Sequence, residues 1–180
     1  MPRKARSEPG PAGFALLAAL LSGPAHGYEL VARLRRLGVD EVFPLEPPTL
    51  YGYLHALEAA GLVSWQEERR GSRPPRKVFE LTAEGRGAAE TWLAAPVPRL
   101  RQVRQEFLLK LALLDDLGRP RARARLIADQ LTACRAYLEQ LRTLSPGTPI
   151  ALLSRGARAS AAEATITWLE TLHNTVEVPA

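Results

Sequence analysis

At 180 residues, 46% of them apolar, the chain can bury one packed core or two small ones. Its formal net charge of +5 permits a polyanionic partner without arguing for one, and the excess is uneven: residues 1–98 carry twelve Lys/Arg against eleven Asp/Glu, residues 99–180 twelve against eight. A single cysteine, Cys134, excludes an internal disulfide, and the longest apolar run, Phe14–Leu21, is too short to span a bilayer and lacks a clean small-x-small cleavage site after it, so a cytoplasmic protein is expected.

Residues 1–12 hold three prolines and the basic Arg3, Lys4 and Arg6. Phe14–Leu21 predicts a short helix, apolar nearly all round and therefore buried; Ser22-Gly23-Pro24 stops it. His26–Leu37 predicts a second helix with Leu30, Val31, Leu34 and Leu37 on one face, ended by Gly38. A proline-marked loop, Val39–Pro47, leads to a third helix, Pro48–Ala60, with Pro48 in its first turn and Leu50, Leu54 and Leu57 pointing one way. Leu62–Glu68 and Arg76–Leu81 predict two strands joined by the turn Arg70–Pro75. Thr82 is a good N-cap for a helix running to about Ala95.

Pro96 and Pro98 mark a boundary, beyond which the pattern is purely helical. Leu100–Leu114 predicts one helix and Arg121–Leu144 another. In the latter Ile127, Leu131, Cys134, Leu138 and Leu141 recur at steps of four and three, a heptad seam. Ser145-Pro146-Gly147-Thr148-Pro149 breaks the pattern, and a last helix is expected over about Ala159–Val176, with Ile166, Leu169 and Leu172 apolar.

Helix, helix, helix, hairpin, helix is the winged helix-turn-helix plan, so the expected fold is mostly α with a small two-stranded β wing and a C-terminal helical region. In helix-turn-helix proteins the later helix enters the major groove. Here that is Pro48–Ala60, whose outward face of small residues (Gly52, Ala56, Ala59) allows close approach. Thr49, Tyr51, Tyr53 and His55 are its candidate contacts, many of them to phosphate; the alternative for the tyrosines is packing. Arg35, from the basic trio on the second helix, and Arg70, Arg73, Arg76 and Lys77 at the hairpin tip complete the candidate DNA-binding set. The alternative for the basic tip is a solvated face. The basic tail is either terminal disorder or an arm that touches DNA.

The segments LLAALLSGPAHGYELVARL (16–34), PTLYGYLHALEAAGLV (48–63) and RPPRKVFELTAEG (73–85) resemble the PadR family of transcriptional regulators, in order and spacing, over roughly residues 14–93. Phe107-Leu-Leu-Lys-Leu and Trp168-Leu-Glu resemble the C-terminal region of its longer members more loosely. Where the family often has Gly before Thr-Leu-Tyr, this chain has Pro48. The resemblance implies a homodimer held by C-terminal helices, Tyr28 and Tyr51 near the DNA backbone, and Arg76 and Lys77 as wing contacts. It also implies a small aromatic or hydrophobic effector, for which Trp92, Phe107 and Trp168 are candidate contacts, Trp65 and Tyr137 being further aromatics that could line such a pocket. The alternative for a Trp is core packing.

The domains expected are a winged helix over 13–95 and a dimerisation and effector region over 99–178. Ile127, Leu131, Cys134, Leu138, Leu141, Ile166 and Leu169 are the candidate dimer contacts; the alternative is that they form an intramolecular core. His26, His55 and His173 lie apart, with no Cys, acid or second His at metal-ligand spacing. There is no phosphate-cradling glycine loop and no Gly-x-Ser-x-Gly. Neither metal, cofactor nor catalysis is expected. The function expected is a repressor that binds a palindromic operator; the alternative is a winged-helix protein-interaction module.

Overall fold

A computed structural model describes residues 9–42, 46–69, 75–145 and 147–176, with the side chains of Pro47 and Val176 outside that description. The chain divides into two compact units, Met1–Leu93 with Leu109–Gly118, and Ala94–Leu108 with Arg119–Ala180. The expected domain limits are contiguous, whereas the first unit takes in a helical segment from beyond the proline pair. The fold is a mostly helical winged helix with a small antiparallel sheet.

In the first unit α1 (Pro11–Ala19) is buried on every side, as an all-apolar helix must be. It packs on α2 (Gly27–Arg36) and α3 (Pro47–Ala59). Pro47 and Pro48 take the first two positions of α3, where a missing amide donor costs nothing, and Leu50, Leu54 and Leu57 turn inward and are buried. At the far end Gly61, at φ +72°, closes α3 with a Schellman motif: Leu62 N–H donates to Leu57 O (2.9 Å) and Gly61 N–H to Glu58 O (2.8 Å).

The wing consists of β2 (Val63–Glu68) and β3 (Arg76–Leu81), antiparallel from Val63↔Leu81 to Glu68↔Arg76. The expected sheet gains a third strand. Ala25 and His26 form β1, paired with Phe79 and Val78, so the order is β1-β3-β2. His26 is therefore the last strand residue and the N-cap of α2, not its first turn; its N–H donates to Glu29 Oε2 (2.8 Å).

Thr82 caps α4 (Ala83–Ala94) as expected. Its Oγ1 accepts from Gly85 N–H (3.0 Å) and donates to Gly61 O (2.8 Å). A Cβ on Gly85 would lie 1.8 Å from Leu62 O, so α4 meets the turn between α3 and β2 at a contact that only glycine allows. Trp92 is buried in this unit, stacked on Phe14 at 5.5 Å between ring centres, with the Lys110 ammonium 4.8 Å from its ring. Arg33, one of the basic trio on α2, is structural: it donates to Asp116 Oδ2, Ala19 O and Ser22 Oγ. Asp116 thus ends its helix on a half-buried arginine contact.

Leu100–Leu114 is not one regular helix. α5 (Leu100–Gln102) runs into a π-helical stretch, Val103–Phe107, before α6 (Leu108–Asp116). In the second unit α7 (Pro120–Thr143) packs along α8 (Pro149–Val176). α8 begins ten residues before the expected Ala159, at a proline preceded by the capping Thr148, whose Oγ1 accepts from Ala151 N–H (3.4 Å). Ile127, Leu131, Cys134, Leu138 and Leu141 of α7 and Ile166 and Leu169 of α8 are all buried within the single chain. The heptad seam thus lies where α7 packs along α8, which is the intramolecular core that the spacing also allows. The apolar side chains left in the open are others, chiefly Ile150 and Leu153, each 72% exposed.

Candidate nucleic-acid interface

The start of α2 and the outer half of the wing meet because β1 pairs with β3. That pairing sets His26 beside the hairpin. Its Nδ1 faces Lys77 O at 3.2 Å and its Nε2 faces Glu68 Oε2 at 3.0 Å. The imidazole stacks on Tyr28, 5.4 Å between ring centres and 8° apart in plane. Tyr28 OH accepts a hydrogen bond from Arg76 Nη1 (2.7 Å), and the guanidinium carbon lies 5.2 Å from the Tyr28 ring centre. His26 joins α2, β2 and β3 through these hydrogen bonds and this stack.

Tyr51 reaches the same place from α3. It lies against the backbone of Gly27, where a Cβ would come within 2.9 Å of its ring and hydroxyl. Together His26, Gly27, Tyr28, Tyr51, Pro75, Arg76 and Lys77 bound a hollow of about 470 Å³. Two exposed phenols and a guanidinium converge there, at the N-terminal end of α2 with its positive dipole, with Lys77 on the wall. Such a constellation suits a phosphate oxygen.

A second chain of contacts joins α3 to the wing. Lys77 Nζ sits 3.8 Å over the Trp65 ring, Trp65 Nε1 donates to Glu58 Oε1 (2.7 Å), and His55 Nδ1 lies 3.5 Å from Glu58 Oε2. The Trp65 bond, helped by His55 and by the charge of Lys77, outweighs desolvation and holds the Glu58 carboxyl below the usual carboxylate range. Sequence reasoning left Glu58 and Trp65 out of the site. The signal was their spacing: Glu58 sits on the Tyr51 and His55 flank of the helix, and Trp65 and Lys77 are diagonal neighbours across the hairpin.

Of the candidate DNA contacts, Tyr28, Tyr51, Arg76 and Lys77 come together, and His55 joins the Glu58 link. Thr49 is exposed on the outward face of α3 with Gly52, Ala56 and Ala59. Tyr53 is half-buried and, two residues from Tyr51, lies on the opposite flank, so it does not join the cluster. Arg35 is exposed on α2, away from the hollow's lining. Arg70 and Arg73, with Arg3, Lys4 and Arg6, lie outside the described residues.

The three candidate effector contacts fall in two units. Trp92 is a packing residue of the first. Phe107 and Trp168 belong to the second, where they meet edge-on at 6.2 Å. Among the described residues no group of three or more His, Cys, Asp or Glu could hold a metal ion, and no helix is long and apolar enough to cross a membrane.

Residues 16–91 match the transcriptional regulator PadR-like family. The negative transcriptional regulator PadR of Bacillus subtilis (strain 168) is 26% identical over 129 residues, 72% of this chain and 70% of that protein. Among solved structures, the chain is similar to Bacillus subtilis PadR in complex with operator DNA (21% identity, 92% of this chain and 98% of that one, TM-score 0.46). It is also similar to the PadR-like regulator BC1756 from Bacillus cereus (17% identity, 97% and 100% covered, TM-score 0.42).

Proposed function

We propose that this chain, a PadR-like transcriptional regulator by residues 16–91, binds a palindromic operator as a homodimer and represses transcription by occlusion. The first unit is the DNA-binding part. α3 lies in the major groove with its small-residue face inward, and the wing follows the flanking backbone. The observation that carries this reading is the convergence of Tyr28, Tyr51 and Arg76 on one exposed hollow walled also by Lys77. These contacts position the protein, while Thr49 and the outward face of α3 meet base edges.

Dimerisation falls to the second unit. Because its heptad seam is used internally, the surface available to a partner copy is the open first half of α8, where Ile150, Leu152 and Leu153 are exposed. A two-fold dimer doubles the contacts of a small winged helix and matches a palindrome. Release by a small effector is assigned to the second unit, near Phe107 and Trp168.

The test is titration of the purified protein into fluorescent duplex DNA from its own upstream region, with a scrambled duplex as control, at two salt concentrations. Tight, selective binding that weakens with salt is expected. Failure to bind either duplex at low salt would favour a protein-interaction module, a reading supported by the nearly balanced charge of residues 1–98.

A further inference from the structure

The second unit carries an open groove of about 1300 Å³, walled by the segment from Arg99 to Leu108, by α7 and by the middle of α8. Arg99, Arg101, Arg104 and Arg158 line it, and no Asp or Glu does. Among the described residues none of these four guanidinium groups has a hydrogen-bond or ion-pair partner. Elsewhere in the unit arginines find acids, as Arg135 does with Glu170 and Arg142 with Glu139 and Glu163. Four unpaired cations facing one space repel one another, so a bound polyanion would relieve what a monoanion could relieve only in part.

The same wall carries two aromatic rings, Tyr137 and Trp168. Trp168 is 41% exposed, and its indole is pinned edge-on by the fully buried Phe107. An open indole is a stacking platform for a flat ring, and Ala157, Ala161 and Ala164, which line the same groove, leave room for one. Guanidinium groups recognise phosphate by paired, charge-assisted hydrogen bonds.

We propose that this groove binds a nucleotide carrying two or more phosphates, its base stacked on Trp168 and its phosphates held by Arg104, Arg158 and their neighbours. The ligand class is a nucleoside polyphosphate or a dinucleotide. Control of operator binding by this ligand rests on the repressor reading above, whereas occupancy of the groove is measured without DNA, so each can fail alone.

The experiment is isothermal titration calorimetry of the full chain with ADP, GTP and a cyclic dinucleotide, against adenosine and inorganic pyrophosphate as half-ligands. At least one nucleotide should bind saturably, one per groove, at least about tenfold tighter than either half-ligand, and more weakly as salt rises. Arg104→Ala with Arg158→Ala, and separately Trp168→Ala, should each cost about tenfold or more, with circular dichroism unchanged; Trp168→Phe, which keeps a stacking ring, should recover most of the loss. Absence of saturable binding by all three nucleotides overturns the proposal, as does binding that ignores the arginine and tryptophan changes. So does an arginine variant that shows no nucleotide effect but weakens duplex binding or dissociates the oligomer, since the groove then belongs to DNA or to a second copy.

Discussion

The Lys77 ammonium lies over the Trp65 ring, 3.8 Å from its centre, and the same indole donates to Glu58 at the end of α3. One residue thus fixes a wing cation relative to α3. Trp65→Ala should loosen Lys77 and weaken operator binding about two- to fivefold, the scale of an exposed cation–π contact. Trp65→Phe should lose less, because the ring face remains. Equal affinity of wild type and Trp65→Ala in a fluorescence titration would remove Trp65 from the positioning of the wing.

Two glycine-to-alanine changes should separate folding from binding. At Gly85 the obstacle is backbone, Leu62 O at 1.8 Å from the added Cβ, so Gly85→Ala should destabilise the first unit by about 3 kcal/mol or more. At Gly27 the obstacle is the Tyr51 ring, which can swing away. Gly27→Ala should leave the melting temperature nearly unchanged and weaken DNA binding by about 1 kcal/mol, roughly fivefold, as the phenol leaves the hollow. Thermal melts and titrations of both variants check the contrast.

Glu58 gives a pH signature. Its carboxyl is held below its usual value of 4.5, chiefly by the Trp65 N–H. A depressed carboxylate contributes stability that is complete above its unfolded value and disappears as pH falls through the lowered folded one. The stability difference between wild type and Glu58→Gln should therefore be largest near neutrality and shrink on acidification below about pH 4.5. A difference that stays flat down to pH 3 would mean the carboxylate charge does not bind α3 to the wing.

Leu131→Asp and Leu138→Asp should not yield clean monomers. Both side chains are buried within one chain, so a charge there should unfold the second unit, costing more than the roughly 2–5 kcal/mol of a Leu→Ala change. Ile150→Asp with Leu153→Asp, at open positions, should keep the helical signal and shift the protein from dimer to monomer in sedimentation equilibrium. An intact dimer would move the interface off the first half of α8.

Much of this was legible in the sequence, for reasons that differ by residue. Leu50, Leu54 and Leu57 gave α3 a clear apolar stripe, and Thr82 before Ala-Glu-Gly marked the start of α4. β1 was not readable, because Ala25 and His26 are too few to show alternation and abut a helix start. The beginning of α8 was hidden because residues 149–158 are mostly exposed and carry no stripe, so Pro149 looked like part of a break rather than a first-turn proline. The heptad spacing of Ile127 to Leu141 specified a buried seam but not its partner, since α8 of the same chain satisfies the pattern as well as a second copy would. Within the site, residue type pointed to Arg76, Lys77 and Tyr51, the resemblance pointed to Tyr28, and residue type also pointed to Tyr53, which lies on the other flank. The roles of Glu58 and Trp65 depend on strand register and helix flank together, and neither element shows them alone.

Hydroxyl-radical footprinting of the operator tests the central claim most directly. A homodimer with α3 in the major groove predicts two protected patches related by a dyad, spaced by one helical turn or a multiple of it, about 10 base pairs centre to centre or a multiple. The patches should fade together in Arg76→Ala with Lys77→Ala. A single unsymmetrical patch, or no protection at concentrations that saturate the duplex, would contradict the account.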